Sequence, residues 1–184
     1  AYRSLIARPN HNEVTNYRNT IDSAIVDLIE HNVKKYQDKE AFSNMGVSMT
    51  YREVDRLSND FANYLVHKCG LKKGDRIALQ MPNVLQFPVA LFGAIKAGII
   101  VVNTNPLYTE REMKHQFKDS GAKAIVILAN FACHLEKIID ETEIEHVIIT
   151  EIGDLFPSFK RLLVNNVVKY VKKMVPAYSL PQAK

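Results

Sequence analysis

A site that grips a triphosphate needs closely set glycines, because backbone amides must reach the oxyanion with no side chain in the way. The 184-residue chain has seven glycines, Gly46, Gly70, Gly74, Gly93, Gly98, Gly121 and Gly153, and no two stand closer than four positions apart. Neither G-x-G-x-x-G nor G-K-[ST] occurs. Gly70-Leu71-Lys72-Lys73-Gly74 has the composition of an anion loop, but it precedes a strand-like run. Its expected role is therefore a helix stop and a turn. Cys133 and His134 are the nearest thing to a metal or nucleophile pair. On a helix, neighbours point about 100° apart and cannot easily share one ion. His31, His67, His115 and His146 are scattered, and carboxylate pairs such as Asp55 with Asp60 are ordinary helix-surface features. The most polar connection with an aromatic in it is Asn103-Thr104-Asn105-Pro106-Leu107-Tyr108. Its Asn and Thr side chains either satisfy nearby backbone groups, the preferred reading, or contact a ligand directly.

These residues must be positioned by elements that hydrophobic periodicity makes legible. Ile21, Ala24, Ile25, Leu28, Ile29, Val33 and Tyr36 recur at helical spacing. Short runs at 40–44 and 47–50 flank Met45-Gly46, a hairpin with glycine in the turn. Thr50 and Glu53 have the spacing of a capping box, opening a helix with Val54, Leu57, Phe61 and Leu65 on its buried stripe and Gly70 as its stop. From there strands and helices alternate. Residues 76–81, 99–102, 124–128 and 147–150 read as apolar strands. Helices are expected over 84–97, with Pro88 near its first turn or kinking it, after Thr109 and Glu112 up to Gly121, and over 131–139 capped by Asn130.

Near-continuous apolar strands separated by helices predict a three-layer α/β fold with a mostly parallel sheet covered on both faces. The loops at one sheet edge, where ligands bind in such folds, would be Pro82-Asn83, 103–108, Asn130 and 151–154. Asp140, Glu141, Glu143 and Glu145 form an acidic run expected to be a solvated loop.

Composition places the chain among globular proteins of about one domain, with 47% apolar and 24% charged residues. Two cysteines are too few for a disulfide framework and suit a reducing cytoplasm. No apolar run is long enough to span a bilayer, and residues 1–20 lack an apolar signal core. The net charge of +4 is concentrated in Lys160, Arg161, Lys169, Lys172 and Lys173, with no acid between them. Phe156, Phe159, Leu162, Leu163, Val167, Tyr170, Val171 and Met174 recur at helical spacing among these charges, and Pro176 follows. Such a basic amphipathic helix either docks its apolar face on the protein, which we expect here, or lies on an anionic membrane surface. Nucleic acid is not an expected partner. The organisation read from the sequence is an extended arm at 1–19, an α/β subdomain at 20–154, and the basic helix with a tail that stops mid-structure at 155–184.

The block Gly70-Leu-Lys-Lys-Gly-Asp-Arg-Ile-Ala-Leu-Gln-Met-Pro-Asn83, the run Gln86-Phe-Pro-Val-Ala-Leu-Phe-Gly-Ala-Ile-Lys-Ala-Gly98 and the stretch Val101-Val-Asn-Thr-Asn-Pro-Leu-Tyr-Thr-Glu-Arg-Glu112 resemble the N-terminal region of adenylate-forming acyl-CoA synthetases. Met49-Thr-Tyr-Arg-Glu53, Asp119-Ser-Gly-Ala-Lys-Ala124 and Val167-Val-Lys-Tyr-Val-Lys-Lys-Met-Val-Pro176 extend the resemblance over nearly the whole chain, nearest to the bacterial long-chain fatty acid–CoA ligases. It implies a parent enzyme that uses ATP and Mg²⁺ to adenylate a long-chain fatty acid and then transfers the acyl group to coenzyme A. The family's Ser/Thr/Gly-rich phosphate loop, its adenine- and ribose-binding motifs and its catalytic lysine match nothing here. The resemblance therefore assigns no catalytic residue, no cofactor ligand and no metal ligand. Asn103, Thr104, Asn105 and Tyr108 border the substrate or coenzyme channel at most. It also implies a fragment inactive alone, cytoplasmic or peripheral on the inner face of the membrane, that self-associates as a dimer through surface the parent would cover. A self-contained flavodoxin-like nucleotide-binding module and a membrane-surface module are the alternatives from other classes.

Overall fold

The computed structural model describes residues 26–181 and 183. A first helix, α1, occupies 26–36. Leu28 on its stripe is exposed, while Ile21, Ala24, Ile25 and the expected arm at 1–19 lie outside the described residues. The hairpin follows as β1 (Glu40–Asn44) and β2 (Val47–Thr50), antiparallel, with Met45 and Gly46 both at positive φ as a tight two-residue turn requires. Helix α2 (Tyr51–His67) opens with the expected capping box. Thr50 donates to the Glu53 carboxylate from its backbone N–H (2.8 Å) and its hydroxyl (2.9 Å). These bonds hold Glu53 below the ordinary glutamate range.

Gly70 and Gly74 adopt positive φ in the turn that ends α2, and Asp75 accepts the Lys72 N–H at 2.8 Å. The stretch is a stop and a turn, not an anion loop. Strand β3 (Arg76–Gln80), helix α3 (Gln86–Lys96), strand β4 (Ile100–Asn103), helix α4 (Glu110–Ser120), strand β5 (Ala124–Leu128), helix α5 (Ala132–Glu136) and strand β6 (His146–Thr150) then alternate. Pro88 sits in the first turn of α3, where its missing N–H costs nothing, and no kink arises there. The four strands are parallel in the order β4-β3-β5-β6. Ile77, Leu79, Val126 and Leu128 face α2 and α3, whereas Ala78, Ile125 and Ile127 face Met113 and Phe117 of α4 and Leu135 of α5. The three layers are thus as expected from the sequence.

Strand β4 is an edge of the sheet, with Ile100 half exposed. One expectation fails. The helix expected over 131–139 shrinks to five residues between two 3₁₀ turns, and Asn130 does not cap it. Instead Asn130 Nδ2 donates to the Met174 carbonyl at 2.9 Å. The expected basic helix forms: α6 (Ser158–Asn166) runs without a gap into a wide π turn at Val167–Val171, and Lys173 at φ 51° ends the segment. The tail beyond it is packed: Tyr178 and Leu180 join the α4–α5 side of the core, and Ala183 bridges Val147 of β6.

Candidate functional site at the carboxyl edge of the sheet

Because all four strands run parallel, the loops that follow them gather at one edge. The chain leaves β3 toward one side of the sheet and leaves β5 toward the other, so β3 and β5 flank the topological switch point. Ligands of open α/β sheets bind in the crevice at that position. After β3, Met81 is buried and Asn83 turns the chain, its carbonyl accepting from Asn44 Nδ2 of the hairpin at 2.9 Å. Between them lies a cleft of about 300 Å³ lined by Phe42, Asn44, Asn83, Val84, Phe87 and Pro88.

Gln80, the last residue of β3, is fully buried on the α4–α5 side, and neither its carboxamide oxygen nor its nitrogen finds a partner among the described residues. Gln86 at the start of α3 donates to the Glu151 carbonyl at 2.7 Å, tying the loop after β3 to the loop after β6. That second loop is held by Asp154, whose Oδ2 accepts from the Glu151 N–H at 2.7 Å and the Thr150 hydroxyl at 3.0 Å. Asn165 of α6 completes the clasp, accepting from the Gly153 N–H at 2.8 Å and donating to Asp154 Oδ1 at 3.1 Å. Gly153 is the sole glycine in the loops that follow the strands, and its amide is already used. A Cβ there would stand 2.8 Å from Asn165 Oδ1 and 3.3 Å from the Arg161 backbone. The edge consequently offers no row of bare amides to a triphosphate.

The 103–108 loop turns largely onto itself. Asn105 Oδ1 accepts the Leu107 N–H at 2.9 Å, an Asx turn, and its carbonyl accepts the Tyr108 N–H at 3.1 Å. Thr104 is buried, its N–H bonded to the Leu79 carbonyl at 3.0 Å. Tyr108 packs against the α4–α5 side of the core. Asn103 and Asn105 are the two of the four that are exposed beside the edge. The backbone-satisfying reading of this loop fits Thr104 and Asn105.

Cys133 and His134 do not converge on a common point. His134 Nδ1 lies 3.1 Å from Glu110 Oε1, which also accepts from Lys137 at 2.5 Å, and these bonds hold Glu110 below the ordinary glutamate range. Among the described residues no group of three or more His, Cys, Asp or Glu side chains could hold a metal ion. The acidic run is exposed, as expected, with Glu141 pairing to Lys114 of α4.

The basic residues are separated by the fold. Lys160 is engaged, donating to the Met45 carbonyl of the hairpin and lying 5.7 Å over the Phe156 ring. Arg161, Lys169, Lys172 and Lys173 are exposed. The preferred expectation for this helix, an apolar face docked on the protein, is overturned: Phe159 is 81%, Leu162 64%, Tyr170 65% and Val171 71% exposed. Leu155, Phe156 and Val164, on the opposite side, pack with the hairpin and α2, and Lys160 reaches the hairpin turn.

Residues 29–178 match the family described as AMP-binding enzyme, most of the chain. The chain belongs to that family. It is 57% identical over 160 residues to a long-chain-fatty-acid–CoA ligase of Escherichia coli O157:H7, covering 87% of this chain and 28% of that protein. A ligase of the same description from Bacillus subtilis is 31% identical over 143 residues, covering 77% of this chain and 25% of that one. Among solved structures, a benzoate CoA ligase from Burkholderia xenovorans superposes with a TM-score of 0.65 at 24% identity, covering 75% of this chain and 27% of that one. A long-chain-fatty-acid–CoA ligase from Archaeoglobus fulgidus gives 0.63 at 21% identity, over 77% of this chain and 29% of that one. These likenesses establish the shared fold of AMP-binding enzymes. The chain spans little more than a quarter of the curated relatives it matches.

Gln80, Gln86, Asp154 and Asn165 escaped sequence reasoning. A glutamine inside the apolar run Ile77-Ala-Leu-Gln-Met81 was the one available signal. The clasp partners are joined only by folding.

Proposed function

We propose that this chain is the N-terminal part of a long-chain fatty acid–CoA ligase. The 57% identity to such a ligase over 87% of the chain carries the reading. In the whole enzyme the fatty-acid carboxylate oxygen attacks the α-phosphorus of ATP and pyrophosphate leaves. The coenzyme A thiol then attacks the acyl carbon and AMP leaves. Adenylation is needed because a carboxylate oxygen is a poor leaving group and AMP a good one. Mg²⁺ accompanies ATP in this scheme, but the described residues form no cluster suited to it, so none is assigned to it.

The chain's own contribution is scaffold: a sheet whose carboxyl edge is braced by Gln86, Asp154 and Asn165 and flanked by the exposed Asn103. Unaided, it does not catalyse, since the one loop glycine on that edge has its amide satisfied within the chain. Two cysteines, too few for a disulfide framework, suit a cytoplasmic site of action. Fatty-acid-dependent release of pyrophosphate from ATP tests this. The full-length enzyme should show it and the 184-residue chain should not; turnover by the chain alone would sink the division of labour, and silence of both would sink the ligase reading.

A further inference from the structure

Gln80 ends β3 fully buried, and neither atom of its carboxamide has a hydrogen-bond partner among the described residues. Native interiors leave few polar atoms in that condition, because each gives up its bonds to solvent and gains nothing in return. The sheet itself has nothing to offer. On this face Gln80 follows Ala78 along β3 and stands beside Ile127 of β5, and neither side chain has a polar atom.

The complement stands on α4. Gln116 lies next to the buried Met113 and Phe117 on the helix stripe that faces the sheet, and its Nε2 donates to the Asn103 carbonyl at 3.1 Å. Asn103 sits beside Leu79 in the register of β3 with β4, one position before Gln80. That bond holds the helix carboxamide at the strand end where Gln80 lies. Its Oε1 is also buried and without a partner among the described residues. The unused set is therefore one donor nitrogen and two acceptor oxygens. A water molecule has the opposite valence, since it accepts on a lone pair and donates two protons. A carboxamide presents N–H and C=O side by side. One water can accept from Gln80 Nε2, donate to Gln80 Oε1 and give its second proton to Gln116 Oε1. Three bonds are about the usual number for an internal water. An ion is disfavoured there, because the surrounding cluster is apolar and none of the buried polar residues described carries a charge to offset it.

We propose that Gln80 and Gln116 bind one structural water at the carboxyl end of β3, and that this water latches α4 and the start of the 103–108 loop to the central strand. The bonds run from Gln80 through the water to Gln116, and from Gln116 to the Asn103 carbonyl. Both glutamines are positioning residues: they fix where the loop leaves the sheet and touch no reacting group. The inference does not depend on the ligase reading, because it uses only buried groups of this chain.

High-resolution crystallography of the full-length protein reads the site directly. The expected result is a water within hydrogen-bond distance of Gln80 Nε2, Gln80 Oε1 and Gln116 Oε1. A direct bond between the two glutamines, a side chain from elsewhere in the protein in that place, or no density there would overturn the proposal. Gln80→Met supplies a second reading, since it keeps the length and approximate volume of the side chain but cannot hold the water. Gln116 Oε1 is then left without a donor. Amide hydrogen exchange at Thr104 and Tyr108 should quicken about fivefold, the worth of one lost hydrogen bond, and the urea midpoint should fall. If the wild-type carboxamide were bare, removing it would relieve a cost instead. A raised midpoint, or exchange no faster than in wild type, would therefore contradict the latch. Should Gln80→Met fail to fold, the wild-type density decides alone.

Discussion

Helices α3 and α6 have eleven and nine residues, both carry apolar stripes, and they end in opposite surroundings. α3 buries Pro88, Ala90, Gly93 and Ala94, and α6 buries nothing along its length. Side-chain size separates them. The small residues of α3 let it press against α2, where a Cβ on Gly93 would stand 2.8 Å from the Ser58 carbonyl and 2.9 Å from the Phe61 ring. Lys96 locks the same contact from its end, donating to Asp55 at 2.6 Å and to Ser58 and Asn59 at 2.8 Å. α6 offers Phe159, Leu162 and Leu163 instead, too large for close helix approach and too many for the one side that meets the hairpin. Apolar periodicity states that a helix has a face to cover. The volume of the residues on that face decides whether the protein itself can cover it.

The sharpest way to break this contrast is the same truncation on both sides of it. Leu79, buried under α2 and α3, should cost about 2–5 kcal/mol when changed to Ala, and Leu162 on α6 no more than about 0.5 kcal/mol. Urea unfolding of the two variants measures both, and equal losses would show that α6 is covered in solution. Gly93→Ala should lose about 1–3 kcal/mol from overpacking against α2, outweighing the roughly 1 kcal/mol that alanine gains in a helix. A stabilised variant would mean that the two helices are not in close contact. Thr50→Ala removes the cap of the helix that α3 packs on and should cost about 1 kcal/mol by the same assay.

The smallest effect is a pH dependence. Glu53 is held below its ordinary value by the bonds from Thr50, so its contribution is complete above the usual glutamate range of about pH 4–5. It is lost as pH falls through the lower folded-state value. Wild type and Glu53→Gln should therefore differ most near neutrality and converge in acid, with thermal midpoints taken across that range. A gap that widens on acidification contradicts the cap.

Much of the fold was legible because it is built from local patterns. Thr50 with Glu53 and Thr109 with Glu112 announced two helix starts, and both form reciprocal capping boxes. Glycine marked the stops: Gly121 takes a left-handed conformation at the end of α4, which side-chain-bearing residues rarely adopt. Asn130 misled because an Asn before an apolar run reads as a cap, whereas its amide is recruited by a carbonyl 44 positions away. The basic helix was legible from its apolar period, which persists through Val167–Val171 although the backbone widens there into a π turn.

The site was less legible than the fold. The sequence showed that the chain lacks a phosphate loop, since that depends on glycine spacing alone. It also marked 103–108 as polar, but whether those groups face a ligand or their own backbone is a matter of a few ångströms. Thr104 is buried and Asn105 bonds the backbone of its own turn, while Asn103 and Asn105 both stay exposed.

Amino-acid order by itself determined the strands, the capped helices, the parallel sheet and the family, because each follows from neighbours within a few residues or from a chain-long likeness. Tertiary structure alone decided that the carboxyl edge is closed by Gln86, Asp154 and Asn165 and that the apolar side of α6 points away from the core. Gln86 and Glu151 stand 65 positions apart, and only the crossing of the sheet brings the amide of one to the carbonyl of the other. Local rules set which faces must be covered, and the space left between packed elements determines what can cover them.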